Sequence, residues 1–138
     1  MTLDSNWIGS WKLTSSENFD ELMQAYGVNA VTRKAACVLS PVLTISDEGE
    51  GKYKIKSEST LKTTSFTFKL NEEFEESTPD DATVKTSIKK ESEQKLIQIQ
   101  QASGSRPETK ITREIADNTL TINYETGTVV CKRVYTKK

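Results

Sequence analysis

Histidine is absent from the 138 residues. Its absence removes the commonest general base and the commonest metal ligand at neutral pH. Cysteine occurs twice, as Cys37 and Cys131, far apart and in no CxxC pair. Neither a disulfide framework nor a zinc site is expected, and two lone thiols suit a reducing compartment. No stretch approaches the roughly 18 apolar residues of a membrane span. The opening residues carry Asp4 and no apolar run of signal-peptide length, so a cytoplasmic location is expected. Charge of one sign is lacking too: 19 basic residues face 20 acidic ones. Nothing in that balance points to nucleic acid as a partner. With no nucleophile beside a visible base and no metal set, neither catalysis nor a cofactor is expected.

Apolar residues are also scarce, at 34%, which is low for a solid core. Disorder is a poor explanation, because aromatic and β-branched residues recur along nearly the whole chain and the net charge is close to zero. A folded shell around a partly wet cavity fits better. The length allows one domain, residues 1–138.

Only the stretch from Glu17 to Cys37 reads as helical. Ser16 or Asn18 is a candidate cap for a first helix in which Phe19, Leu22, Met23 and Tyr26 recur at spacings of three and four. Gly27 ends it, Asn29 caps a second short helix through Ala35 and Ala36, and Pro41 blocks continuation. The rest alternates with period two. An opening strand is expected around Trp7 to Leu13, and later ones at Leu43/Ile45, Tyr53/Ile55, Phe66/Phe68/Leu70, Val84/Thr86/Ile88, Ile97/Ile99, Ile111/Arg113/Ile115, Leu120/Ile122/Tyr124 and Val129–Tyr135. Asp47–Gly51, Asp117-Asn118 and Thr126-Gly127 read as turns, and residues 102–108 as a loop. The expected fold is all-β: roughly ten antiparallel strands in an up-and-down barrel or clam, with a helix-turn-helix lid and an internal cavity.

The informative anomaly is charge on an apolar stripe. In the strand KITREIA, Ile111, Arg113 and Ile115 share one face. In VVCKRVY, the same logic groups Val129, Cys131, Arg133 and Tyr135, with Val130, Lys132 and Val134 opposite. If the Cys131 face is inward, two arginines and a phenol enter one interior. A buried guanidinium needs an anion, and a carboxylate accepts from it bidentately, with a tyrosine hydroxyl adding a further bond. The competing reading turns these arginines to solvent or pairs them with internal glutamates.

Over essentially its whole length the chain resembles the intracellular lipid-binding proteins, which include fatty-acid-binding and cellular retinoid-binding proteins. The resemblance rests on Gly9-Ser-Trp11-Lys-Leu13, Asn18-Phe19-Asp20, Leu22-Met23, Gly27-Val28, Thr32-Arg33-Lys34, Ser59-Thr60-Leu61-Lys62, Phe68-Lys69-Leu70 and Glu73-Phe74. It closes on Ile111-Thr112-Arg113-Glu114 and Cys131-Lys132-Arg133-Val134-Tyr135, similar to the carboxylate-binding segments of that family. Tyr26 departs from the family pattern, which expects an aliphatic, alanine or basic residue.

The resemblance implies a monomeric, cytoplasmic carrier of a long-chain fatty acid. Arg133 and Tyr135 would contact the carboxylate, and Arg113 would do so directly or through water. Phe19, Met23, Tyr26, Ala36, Leu61, Ile122 and Tyr124 would line the tail. Leu61 stands where many relatives carry a portal phenylalanine, and Ala82 where many carry an arginine, a change expected to relocate the tail or widen the cavity. Retaining both arginines favours an acid over an alcohol. Arg33 and Lys34 have two further readings: part of a nuclear-import patch, with Gln24 in place of its third basic residue, or a cationic lid surface for transient contact with anionic membranes. The alternative role is a signalling chaperone, delivering a fatty acid or retinoid-like ligand to a nuclear receptor or import factor.

Overall fold

The computed structural model describes residues 2–138. Strand β1 (Gly9–Glu17) leads into helices α1 (Phe19–Ala25) and α2 (Ala30–Cys37). Nine strands follow: β2 (Val42–Gly49), β3 (Lys52–Glu58), β4 (Thr63–Lys69), β5 (Phe74–Ser77), β6 (Thr83–Ser92), β7 (Lys95–Gln100), β8 (Thr109–Ala116), β9 (Thr119–Thr126) and β10 (Val129–Lys137). All pairings are antiparallel between sequence neighbours, except that β1 also pairs with β10 and so joins the two ends of the chain. The order β4-β3-β2-β1-β10-β9-β8-β7-β6-β5 leaves β4 and β5 without a ladder between them. Stacked rings bridge that gap, with Phe66 and Phe74 centroids 5.4 Å apart and Phe68 and Phe74 6.2 Å apart. The result is the expected barrel, nearly closed, with α1 and α2 as its lid.

The sequence pattern and the structure differ at several element ends. Trp7 belongs to a 3₁₀ turn (Ser5–Trp7) rather than to the first strand, because Asp4 caps that turn by accepting from the Asn6 amide at 2.9 Å. The Trp7 indole donates to the Glu93 carbonyl at 2.8 Å, and the Trp11 indole donates to the Trp7 carbonyl at 3.2 Å. The two buried rings thus fill the barrel end away from the lid, with their polar edges satisfied. Asn18 occupies the cap position of α1 in a left-handed conformation, but its side chain donates instead to the Val130 carbonyl at 3.0 Å. It ties the lid to β10. Asn29 caps α2 as expected, accepting from Thr32 N at 2.9 Å. The last hairpin turns at Gly127-Thr128, one residue later than expected, since Thr126 completes β9 with its hydroxyl donating to the Glu108 carbonyl at 2.7 Å. The four-residue strand β5 was not marked by the apolar pattern.

The packed core lies toward the Trp end: Trp7, Trp11, Leu43, Ile45, Tyr53, Ile55, Phe68, Ile88, Ile115 and Leu120 are all buried there. Some inward positions further along the strands are less covered. On β4, Phe68 is buried, whereas Phe66 is only half-buried although it packs on the core and points the same way. Tyr124 on β9 behaves alike between buried Ile122 and buried Thr126. Helices too short to be stable alone hold their place through this packing: Leu22 and Met23 of α1 are buried against the barrel mouth.

Candidate functional site

Register brings the charged residues together. Arg113 of β8 and Arg133 of β10 both stand opposite Ile122 of β9, so the three lie in one cross-strand row on the inner face. Two strand spacings put the arginine backbones roughly 10 Å apart. In the next row Ile115, Leu120 and Tyr135 align, and on the other side Ile111, Tyr124 and Cys131. The inward orientation left open by the mixed faces of β10 is thereby decided: Cys131, Arg133 and Tyr135 are buried, and Val130 is exposed.

Both arginines are almost wholly withdrawn from solvent, Arg113 at 6% exposure and Arg133 at 4%. Arg133 extends its row into β1, donating to the Ser16 hydroxyl at 3.3 Å, and stacks on the Phe19 ring at 3.8 Å. Its Nη2 donates to no described side chain, and the Tyr135 and Tyr124 hydroxyls are likewise unpaired. Every fully buried side-chain N or O among the described residues has a partner. The unpaired atoms are therefore those that meet open space inside the barrel. Burial pushes the Arg113 guanidinium below its ordinary pKa and raises the Tyr124 phenol. Burial also raises the Cys131 thiol to about 11, which makes it inert rather than nucleophilic.

A second polar group lies across the interior, and the sequence reading missed it. Arg113 Nη1 donates to Gln98 Oε1. Gln98 Nε2 donates to Glu76 at 2.9 Å and to Thr86 at 2.9 Å. From the other side, Arg106 Nη1 donates to Gln100 Oε1 at 3.2 Å, and Gln100 Nε2 donates to the same Glu76 oxygen at 3.0 Å. One buried carboxylate thus receives two glutamine amides, each polarised by an arginine. Desolvation nonetheless raises the Glu76 pKa, its neighbours acting against the shift. Arg106 makes a bidentate pair with Asp80 at 2.9 and 3.2 Å and lies over the Tyr26 ring at 3.8 Å. It brings a guanidinium to the turn that contains Ala82, so Ala82 does not leave that turn without one. A signal existed in β7, where Gln98 and Gln100 alternate with Ile97 and Ile99. The apolar isoleucines are only half-buried, and the glutamines with Leu96 face in.

The remaining expected residues fall as follows. Phe19 covers Arg133, Met23 and Ile122 are buried, and Ala36 and Tyr124 are half-buried. The Tyr26 hydroxyl shares a hydrogen bond with Thr109 at 2.8 Å, which fixes its ring beneath Arg106. Leu61 stands 65% exposed in the β3–β4 loop and does not line the interior. Arg33 is half-buried, paired with Asp20 at 2.9 Å and donating to the Val28 carbonyl at 2.7 Å, so it joins α2 to α1. Only Lys34 of that pair is exposed, near the exposed Val31 of the same helix and Val38 at its C-cap.

Five charged groups converge on the interior: Arg106, Arg113 and Arg133 against Glu76 and Asp80. With Glu76 ionised, the three cations and two carboxylates leave one positive charge, and it falls on the Arg113–Arg133 row. One monoanion neutralises it.

Comparison with known proteins agrees with this architecture. A fatty acid-binding protein homolog 6 from Caenorhabditis elegans is 42% identical over 137 residues, covering 99% of this chain and 100% of the relative. Cellular retinoic acid-binding protein 2 of Rattus norvegicus is 39% identical, covering 96% of this chain and 99% of the relative. Among solved structures, the Schistosoma mansoni fatty acid binding protein in complex with arachidonic acid superposes with a TM-score of 0.90 at 37% identity, covering 97% of each chain. Residues 8–138 match the lipocalin / cytosolic fatty-acid binding protein family. The chain belongs to that family, as a lipid-binding carrier and not an enzyme.

Proposed function

We propose that this protein carries one long-chain fatty acid inside the barrel, its carboxylate held by Arg133 and Tyr135 with Arg113 beside them. The observation that carries this reading is the row Arg113–Ile122–Arg133, buried, with donors unpaired by protein. A buried methylene is worth about 0.8 kcal/mol, so a long tail contributes on the order of ten kcal/mol before association costs. A charge-assisted hydrogen bond nets roughly 1.5–3 kcal/mol. The tail supplies most of the affinity, and the arginines select an acid and fix its direction. Phe19, Met23, Ile122 and Tyr124 serve the tail. The carrier acts as a cytoplasmic monomer, and exposed Val31 and Lys34 on α2, with Val38 at its C-cap, offer a surface for transient membrane contact.

Competition binding with a long-chain acid, its alcohol and its methyl ester tests the reading, the acid being expected to bind tightest. Equal affinity for all three overturns it. The relatives named for retinoic acid favour a second reading, a retinoid-like acid delivered to the nucleus. Ligand-dependent nuclear entry that is lost in R33E/K34E supports that role, and entry indifferent to ligand removes it.

A further inference from the structure

The carboxylate row uses one polar pole of the interior and leaves the other unexplained. Glu76 is 5% exposed and accepts both of its hydrogen bonds, from Gln98 and Gln100, on the same oxygen, Oε1. Oε2 accepts none from a described residue, and no fully buried side-chain oxygen among the described residues lacks a partner. Oε2 therefore faces open space. Glu76 points inward from β5, opposite buried Val84 in register, and its side chain reaches past β6 to the glutamines of β7. An acceptor with an unused lone pair, almost fully desolvated, is costly unless something donates to it.

The surroundings limit what that donor is. A second carboxylate is repelled by Glu76 itself. An ammonium is disfavoured because Arg113 and Arg106 lie one glutamine away on either side. A carbonyl or ether oxygen has no hydrogen to give. Of the oxygen groups found along a lipid chain, a neutral O–H remains, and it takes the place of water on Oε2. We infer that the ligand is a long-chain monocarboxylic acid bearing a hydroxyl part-way along its chain, with that hydroxyl donating to Glu76 Oε2. This rests on the fatty-acid reading of the same site and names the class of acid. Glu76 is then a specificity-determining residue, joined to Arg113 through Gln98.

Isothermal titration with a saturated long-chain acid, its isomers carrying one hydroxyl at successive carbons, and the matching ketones tests this on the unmodified protein. In a purely apolar tail channel every hydroxyl isomer binds more weakly than the parent acid, because its hydroxyl is dehydrated for nothing. The inference expects one isomer to bind at least about tenfold tighter than the other hydroxyl isomers. It also expects the ketone at that carbon to lose the advantage, and Glu76→Gln to shrink the ratio of affinities between that isomer and the other hydroxyl isomers. No favoured position, or an advantage equal for ketone and alcohol, or one unchanged in E76Q, overturns it. If the parent acid itself does not bind the unmodified protein, the fatty-acid reading fails instead, and the two failures are told apart in one titration series.

Discussion

Replacing Arg133 by glutamine should move ligand affinity and apo stability in opposite directions. In the free protein its guanidinium is 4% exposed, with one hydrogen bond of 3.3 Å to Ser16, a ring contact with Phe19 and no carboxylate in contact. An uncompensated buried charge of this kind destabilises the fold, whereas a glutamine keeps much of the volume and a donor for Ser16. Removing the excess positive charge should stabilise the apo protein by about 1–2 kcal/mol, a rise of several degrees in melting temperature for a chain of this size. Binding of a long-chain acid loses a desolvated charge pair, about 2–5 kcal/mol, or roughly 30- to 5,000-fold in Kd. The corresponding alcohol should change by less than about tenfold. Thermal unfolding of the apo protein and fluorescence displacement with the acid and alcohol measure both arms. Equal losses for acid and alcohol refute the carboxylate assignment. A lower melting temperature in R133Q refutes the claim that the charge is held at a cost until ligand arrives.

Asp80→Asn leaves Arg106 buried without its bidentate partner, so urea unfolding should show a loss of about 3 kcal/mol. Asp81→Asn, whose partner Lys62 is on the surface, should cost less than about 1 kcal/mol. Leu120, fully buried, should cost about 3 kcal/mol as alanine in the same assay, against less than about 0.5 for exposed Leu61. The Cys131 thiol keeps its proton to about pH 11 in the folded state, while an unfolded thiol loses it near about 8.5. The folded chain thus binds more protons between those values, and stability falls as pH rises through them. Cys131→Ala should flatten that part of the stability–pH curve, and iodoacetamide should label exposed Cys37 before Cys131 in native protein.

Alternation along β8 sufficed to put Arg113 on the face of Ile111 and Ile115, because side-chain direction in a strand depends only on parity. Nine of the strands and the lid were equally open to reading, since turns and helix caps are local features, whereas the four-residue β5 carries no apolar alternation. β10 was ambiguous because both of its faces carry apolar and charged residues, and only pairing with β9 turned Cys131, Arg133 and Tyr135 inward. Parity also holds on β7, but there isoleucines take the outer face and glutamines the inner one. A wet interior inverts the usual expectation that apolar means inside.

The sequence by itself determined the architecture and the family and marked Arg113, Arg133 and Tyr135 as candidates, because period, turn chemistry and local motifs are properties of neighbouring positions. Only the tertiary structure decided that Glu76, Gln98, Gln100, Arg106 and Arg113 form one hydrogen-bonded chain. Those residues come from β5, β7, β8 and a loop, and barrel curvature rather than spacing brings them within bonding distance. Net interior charge is likewise a sum over groups distant in the chain and close in space.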